Sequence, residues 1–265
     1  MPLLLLRAVI TWTAAAALVA NAAAAGPDEA IEDTVARIKP SIVAVGTYQR
    51  TRAPAFEFRG TGFIVGDGTL VATNAHVLPA SVNAATRESL AILIPGLPGK
   101  GATRQVELRL AREAASDAGH DLALLRIDGS PQPALAIGDS SAVREGRSVH
   151  FTGFPLGAVL GAYPVTHRAI VAAISPIAIP QRRDADLNSA TIRRLAKGAF
   201  TMFQLDGIAY AGNSGSPVFD TDGKVIAVVN MVLVKSTKET LLAQPSGIAY
   251  AIPAEHLVTL LGSVR

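Results

Sequence analysis

The chain contains no cysteine. Disulfides and thiolate metal sites are therefore excluded, and cysteine usage says nothing about the redox compartment. Charge is sparse as well: 24 Lys and Arg against 21 Asp and Glu leave a net +3, with charged residues only 17% of the chain. So mild a balance gives no electrostatic footprint for a nucleic-acid partner. The five histidines, at 76, 120, 150, 167 and 256, include no pair with the i, i+4 spacing of a helical zinc site, so no metal is expected. Internal repeats are missing, and low complexity is confined to an alanine-rich start. What the chain has in quantity is apolar side chains, 49% of 265 residues, which is ample for a buried core in one or two domains.

Residues 1–25 open with a single cation, Arg7. An apolar stretch from Ala8 to Ala20 follows, broken only by Thr11 and Thr13, and then the small residues Ala23-Ala24-Ala25. This is the architecture of a secretory signal peptide. A retained anchor would be longer and less rich in alanine. The expectation is cleavage near Gly26, a mature domain over 28–265, no stable membrane insertion and a periplasmic or secreted location.

Between Pro27 and Ile38 acids come early, Arg37 comes late, and apolar side chains fall at 31, 35 and 38. That pattern predicts a short amphipathic helix, ended by Pro40. Next come β-branched and apolar runs separated by turn residues, at 41–47, 61–65, 69–73, 90–94, 105–110, 122–127, 148–152, 168–174, 201–205, 217–220, 224–233 and 248–252. Short strands of this number predict an all-β protein. Six lie on each side of the linker-like stretch 128–146. One segment breaks the rhythm: Pro180 to Lys197 carries five cations and a short helical pattern from Ser189 to Leu195, and reads as a solvated insertion or a flap that favours acidic segments. Apolar spacing after Pro253 predicts a terminal helix.

The stretch with chemical content is Gly212-Asn213-Ser214-Gly215-Ser216-Pro217. Two glycines and a proline in six residues predict a tight turn that exposes Ser214 and frees neighbouring amides for a ligand. A serine hydroxyl is a poor nucleophile at neutral pH, so catalysis by Ser214 requires a histidine base and a carboxylate to orient it. His76 closes the apolar run from Leu70, just past Gly60-Thr61-Gly62-Phe63-Ile64-Val65, and Asp121 opens Asp121-Leu122-Ala123-Leu124-Leu125-Arg126-Ile127. Each of the three alone is ordinarily structural. As an ordered set, His then Asp then Ser, they point to catalysis. A nucleophile elbow of the α/β-hydrolase kind is rejected, because Pro217 onward reads as strand, turn, strand rather than helix, and Ser216 replaces the second glycine.

These segments resemble the trypsin-like (chymotrypsin-fold) serine proteases, with the closer likeness to the HtrA/Deg branch. Arg37-Ile38-Lys39-Pro40-Ser41-Ile42-Val43, Gly153-Phe154-Pro155-Leu156-Gly157 and Gly247-Ile248-Ala249-Tyr250-Ala251-Ile252-Pro253 extend the likeness over roughly residues 30 to 256. The resemblance implies two six-stranded antiparallel β-barrels, about 41–128 and about 147–252, with short helices at each end. It implies His76 as base, Asp121 as its orienter, Ser214 as nucleophile, and the Gly212 and Ser214 N–H groups as an oxyanion hole. No metal or organic cofactor is needed, since nucleophile, base and oxyanion donors are all protein groups. Partners are polypeptide substrates, unfolded or damaged exported proteins by family likeness; relatives often form trimers, so homo-oligomerisation is open. Many relatives continue into a PDZ domain where this sequence ends.

By the same resemblance the primary substrate pocket comprises Ile208, Ala209 and Tyr210 with Asn230, Met231 and Val232. Ile208 stands where enzymes that cleave after Lys or Arg carry an acid, and a cation there would be buried unpaired. Val232 in place of a small wall residue would shorten the pocket against large aromatics. Cleavage after small and medium aliphatic residues is therefore expected. One departure bears on the branch: Ser216 occupies the position of the second glycine after the serine, a form also seen in proteases like the staphylococcal glutamyl endopeptidase. Such an enzyme, or a non-enzymatic holdase that keeps the cleft, is the alternative.

Overall fold

The computed structural model describes residues 27–96, 106–155, 157, 163–177, 200–230 and 247–264. The leader, the basic 180–197 insertion, Met231 and Val232 lie outside them. The amphipathic segment forms α1 (Pro27–Ile38), which passes through a single 3-10 turn at Lys39–Ser41 into β1 (Ile42–Tyr48). Five more strands complete a first closed barrel: β2 (Phe56–Val65), β3 (Leu70–Thr73), β4 (Ser89–Pro95), β5 (Val106–Asp117) and β6 (Leu122–Ile127), in the order β1-β2-β3-β6-β5-β4. A second closed barrel holds β7 (Ser148–Gly153), β8 (Val165–Ile177), β9 (Phe200–Asp206), β10 (Pro217–Phe219), β11 (Val225–Asn230) and β12 (Ile248–Pro253), in the order β10-β11-β12-β9-β8-β7. Every strand pairing is antiparallel. The chain closes with α2 (Ala254–Gly262). The expected all-β fold of two six-stranded barrels with a short helix at each end is thus what the chain adopts.

The two-residue period of a strand explains why so many segments are apolar throughout. In β1, Val43 and Val45 point into the first barrel with Ile64, Val71, Ile92 and Leu125. Their neighbours Ile42 and Ala44 point the other way, into a second cluster with Phe63, Leu122 and Leu124 of the first barrel and Phe219, Val225 and Ile252 of the second. A strand buried on both faces reads as a continuous run rather than an alternation. The shared cluster also takes in Ile38 from α1 and Leu257 and Leu260 from α2. Two barrels and two helices therefore bury one common apolar layer.

Three strands are longer than the apolar runs predict. β5 continues to Asp117, through Arg112, Glu113 and Ser116, because Ala111 to Asp117 pair with Ile127 to Leu122 of β6. β2 starts at Phe56 on pairing with Tyr48, and β8 starts at Val165 on pairing with Gly153. Ladder hydrogen bonds carry a strand past the point where its side chains turn polar.

Candidate active site

Asp121 sits at the entry to β6 with φ +53, in the left-handed region that Asp tolerates better than most residues. Five hydrogen bonds hold it there. Its carbonyl accepts from Ala75 N–H at 3.1 Å and from Asn74 Nδ2 at 3.1 Å. Its carboxylate accepts His76 N–H on Oδ1 at 2.8 Å and the His76 ring Nδ1 on Oδ2 at 2.5 Å. The fifth donor comes from the other barrel: Asn230 Nδ2 reaches Oδ2 at 2.9 Å. A carboxylate acceptor on Nδ1 assigns the proton to that nitrogen and leaves Nε2 of the neutral ring with its lone pair free. His76 lies in the single 3-10 turn Ala75–Val77 that follows β3, with its side chain 18% exposed.

The Gly212–Pro217 loop lies against this pair through β2. Contrary to the expected exposure, Ser214 is buried, at 6%, because β2 packs over the loop: its carbonyl accepts Thr61 N–H at 2.9 Å. The same carbonyl oxygen is 3.1 Å from where a Cβ on Gly60 would stand, and that point is 2.7 Å from a Val77 methyl. Ser214 is therefore a near neighbour of the residue that follows His76. On its other side Gly215 N–H donates to Val229 O at 3.0 Å, next to Asn230, which grips Asp121. Among the described residues no hydrogen bond joins the Ser214 hydroxyl to the His76 ring, and in structures without substrate such contacts are often long.

Backbone conformation in this loop depends on glycine. Asn213 N–H donates to Tyr210 O at 2.9 Å and Gly212 has φ +100, the pattern of a type II turn with glycine at its third position. A Cβ on Gly212 would lie 2.3 Å from Phe154 O, and one on Gly215 would lie 2.0 Å from Thr61 O. Neither Gly212 N–H nor Ser214 N–H finds a backbone acceptor among the described residues. Among the described residues, two N–H groups without a backbone acceptor thus flank one peptide unit.

The expected pocket residues divide. Ile208 is 42% exposed, Ala209 is 5% exposed and packs into the interior of the second barrel with Phe151 and Val229, and Tyr210 is half-buried. Asn230, expected in the pocket wall, is fully buried and its Nδ2 donates to Asp121 Oδ2. Sequence reasoning missed this contact because it depends on where β11 ends relative to β6, two segments more than a hundred residues apart.

A family model described as a trypsin-like peptidase domain matches residues 60–228. The chain belongs to that family. The trypsin-like chain is similar to a probable periplasmic serine endoprotease, DegP-like, from Halomonas elongata, at 27% identity over 78% of this chain and 35% of the relative. It is similar to serine protease HTRA3 of Rattus norvegicus at 27% identity over 89% of this chain and 44% of the relative. Mitochondrial serine protease HTRA2 of Bos taurus is 28% identical over 86% of this chain and 41% of its own length. The trypsin-like chain thus spans less than half the length of these curated relatives. Among solved structures, the HtrA-type protease AlgW with tripeptide superposes with TM-score 0.59 at 21% identity, over 88% of this chain and 63% of that one, which shows the shared fold. The likeness to HtrA proteases read from the motifs is borne out.

Proposed function

We propose that the chain is a serine endopeptidase in which Ser214 is the nucleophile, His76 the general base, Asp121 the residue that orients His76, and the Gly212 and Ser214 N–H groups the oxyanion donors. The observation that carries this reading is the 2.5 Å contact of His76 Nδ1 with Asp121 Oδ2, whose carboxylate is also gripped by Asn230 of the second barrel. Ser214 Oγ attacks a peptide carbonyl and passes its proton to His76 Nε2. The carbonyl oxygen, now negative, takes hydrogen bonds from the two N–H groups. His76 returns the proton to the leaving amine, and a water activated in the same way releases the acyl group.

Substrates are polypeptides, by likeness unfolded or damaged exported proteins, cleaved after small or medium aliphatic residues. Ile208 offers no charge to a basic side chain at the cleavage site. The glutamyl-specific alternative needs a cation, and one candidate beside the expected pocket is His167, whose ring centroid is 6.4 Å from that of Tyr210. Burial holds its pKa below the ordinary histidine range, so it is neutral at physiological pH.

A peptide library and an unfolded protein substrate test the reading together. The wild-type chain is expected to cut after Val, Ala, Ile or Leu, and Ser214→Ala to be inert with its fold intact. Full cleavage by Ser214→Ala, or a profile dominated by Glu, Arg or Lys before the scissile bond, would overturn it.

A further inference from the structure

We propose that Thr61 is a positioning residue of the oxyanion site, holding from the first barrel the one peptide unit that lies between the two oxyanion donors. The proposal rests on the serine-endopeptidase reading above. Thr61 is fully buried in β2; its N–H and hydroxyl are engaged by the second barrel and its carbonyl is held within the first. Its N–H donates to Ser214 O at 2.9 Å, and its carbonyl accepts the Thr73 hydroxyl at 2.7 Å. Its own hydroxyl oxygen accepts Phe154 N–H at 3.0 Å and lies 2.7 Å from Gly212 O. A hydroxyl has one proton. Since Phe154 N–H can only donate, the Thr61 proton must go to Gly212 O, so the direction of that bond is settled by its partners.

The Gly212–Asn213 peptide is then pinned at both polar ends. Tyr210 O takes its N–H at 2.9 Å, and Thr61 Oγ1 holds its carbonyl at 2.7 Å. This is the unit that separates Gly212 N–H from Ser214 N–H, so its plane fixes the angle at which the two donors converge on one oxygen. Side-chain support from within the loop is lacking: among the described residues, Asn213 Oδ1 and Nδ2 are buried with no partner. Gly212 has wide rotational freedom, and the contact that removes it comes from a strand 151 residues away. The arrangement also makes a donor in the first barrel part of a site whose N–H groups belong to the second. A hydroxyl in this place acts on the transition state, where the oxyanion exists, and not on ground-state binding.

The test compares Thr61→Val, which keeps the shape and removes the hydroxyl, with Thr61→Ser, which keeps the hydroxyl, and Thr61→Ala, which removes hydroxyl and methyl together. Each is assayed for kcat and KM on one peptide substrate and for thermal unfolding. Misplacing a donor costs less than deleting it, so Thr61→Val is expected to lower kcat about 10- to 100-fold with KM within about threefold of wild type. Thr61→Ser is expected to recover kcat to within about threefold. If Thr61→Val does not fold, the contrast between Ala and Ser decides in the same way. Unchanged kcat in Thr61→Val, an equal loss in Ser and in the hydroxyl-free variants, or a loss confined to KM would overturn the proposal. Ser214→Ala in the same assay separates the two claims: activity there sinks the serine-endopeptidase reading, whereas an inert Ser214→Ala beside a fully active Thr61→Val sinks the Thr61 proposal alone.

Discussion

At the scale of single residues, the site depends on groups that do no chemistry themselves. Asp121 Oδ2 accepts from both His76 Nδ1 and Asn230 Nδ2, and Asn230 is fully buried, so no water replaces it at low cost. Removing one donor from a buried carboxylate costs about 1.5–3 kcal/mol. Asn230→Ala should therefore lower kcat by about tenfold or more, since Asp121 would hold the His76 tautomer less firmly, while KM stays near the wild-type value. Steady-state kinetics on a short peptide check this, and an unaltered kcat would show that Asn230 has no part in positioning. Ser216 adds a second residue-scale feature. Its hydroxyl is buried without a partner among the described residues and stands 1.9 Å from where a Cβ on Gly153 would be, so serine at 216 demands glycine at 153.

At the scale of elements, most of the architecture was legible in the sequence. Twelve apolar runs became twelve strands, because a chain that buries both faces of its strands has to write them as continuous hydrophobic segments. α1 and α2 were legible from their spacing and from Pro40 and Pro253 at their margins. Polar strand ends were not, as β5 shows beyond Leu110: nothing in Arg112 or Glu113 announces a strand, and only pairing with β6 makes one. The order of His76, Asp121 and Ser214 could be read because each lies in a short motif. The contacts of Thr61 with Gly212 and of Asn230 with Asp121 could not, because barrel closure brings together residues 151 and 109 positions apart. α1 shows the same limit: Thr34 Oγ1 donates to Thr221 O at 2.9 Å and Arg37 Nη2 to Asp222 O at 3.0 Å, which fastens to the second barrel a helix that leads into the first.

At the scale of the whole molecule, buried imidazoles tie stability to pH. His120 and His256 stack at 3.8 Å between centroids, with the Phe200 ring edge-on to both, so that the β5–β6 turn, β9 and α2 meet at one place. Burial and the neighbouring His120 lower the His256 pKa, outweighing the opposite pull of Glu255 and Asp117. Burial, with Arg168 adding to it, lowers that of His150, and burial alone lowers that of His167. In each case the folded value lies under the unfolded value of about 6.5, so below that pH the unfolded chain binds protons that the folded chain refuses. Stability is accordingly complete above about pH 6.5 and is lost as the pH falls toward the depressed folded values. Thermal unfolding followed from about pH 7.5 to 5 should show a falling Tm, with a shallower fall in His167→Phe; a Tm that stays level or rises on acidification would contradict it.

The central claim concerns one hydroxyl, and its most direct test is covalent. A fluorophosphonate that reacts with activated serines, applied to the purified chain and mapped by mass spectrometry, should mark Ser214 and no other residue, and should fail to mark the His76→Ala variant at a comparable rate. An adduct on a different side chain, or a wild-type chain that remains unlabelled while folded, would contradict the account.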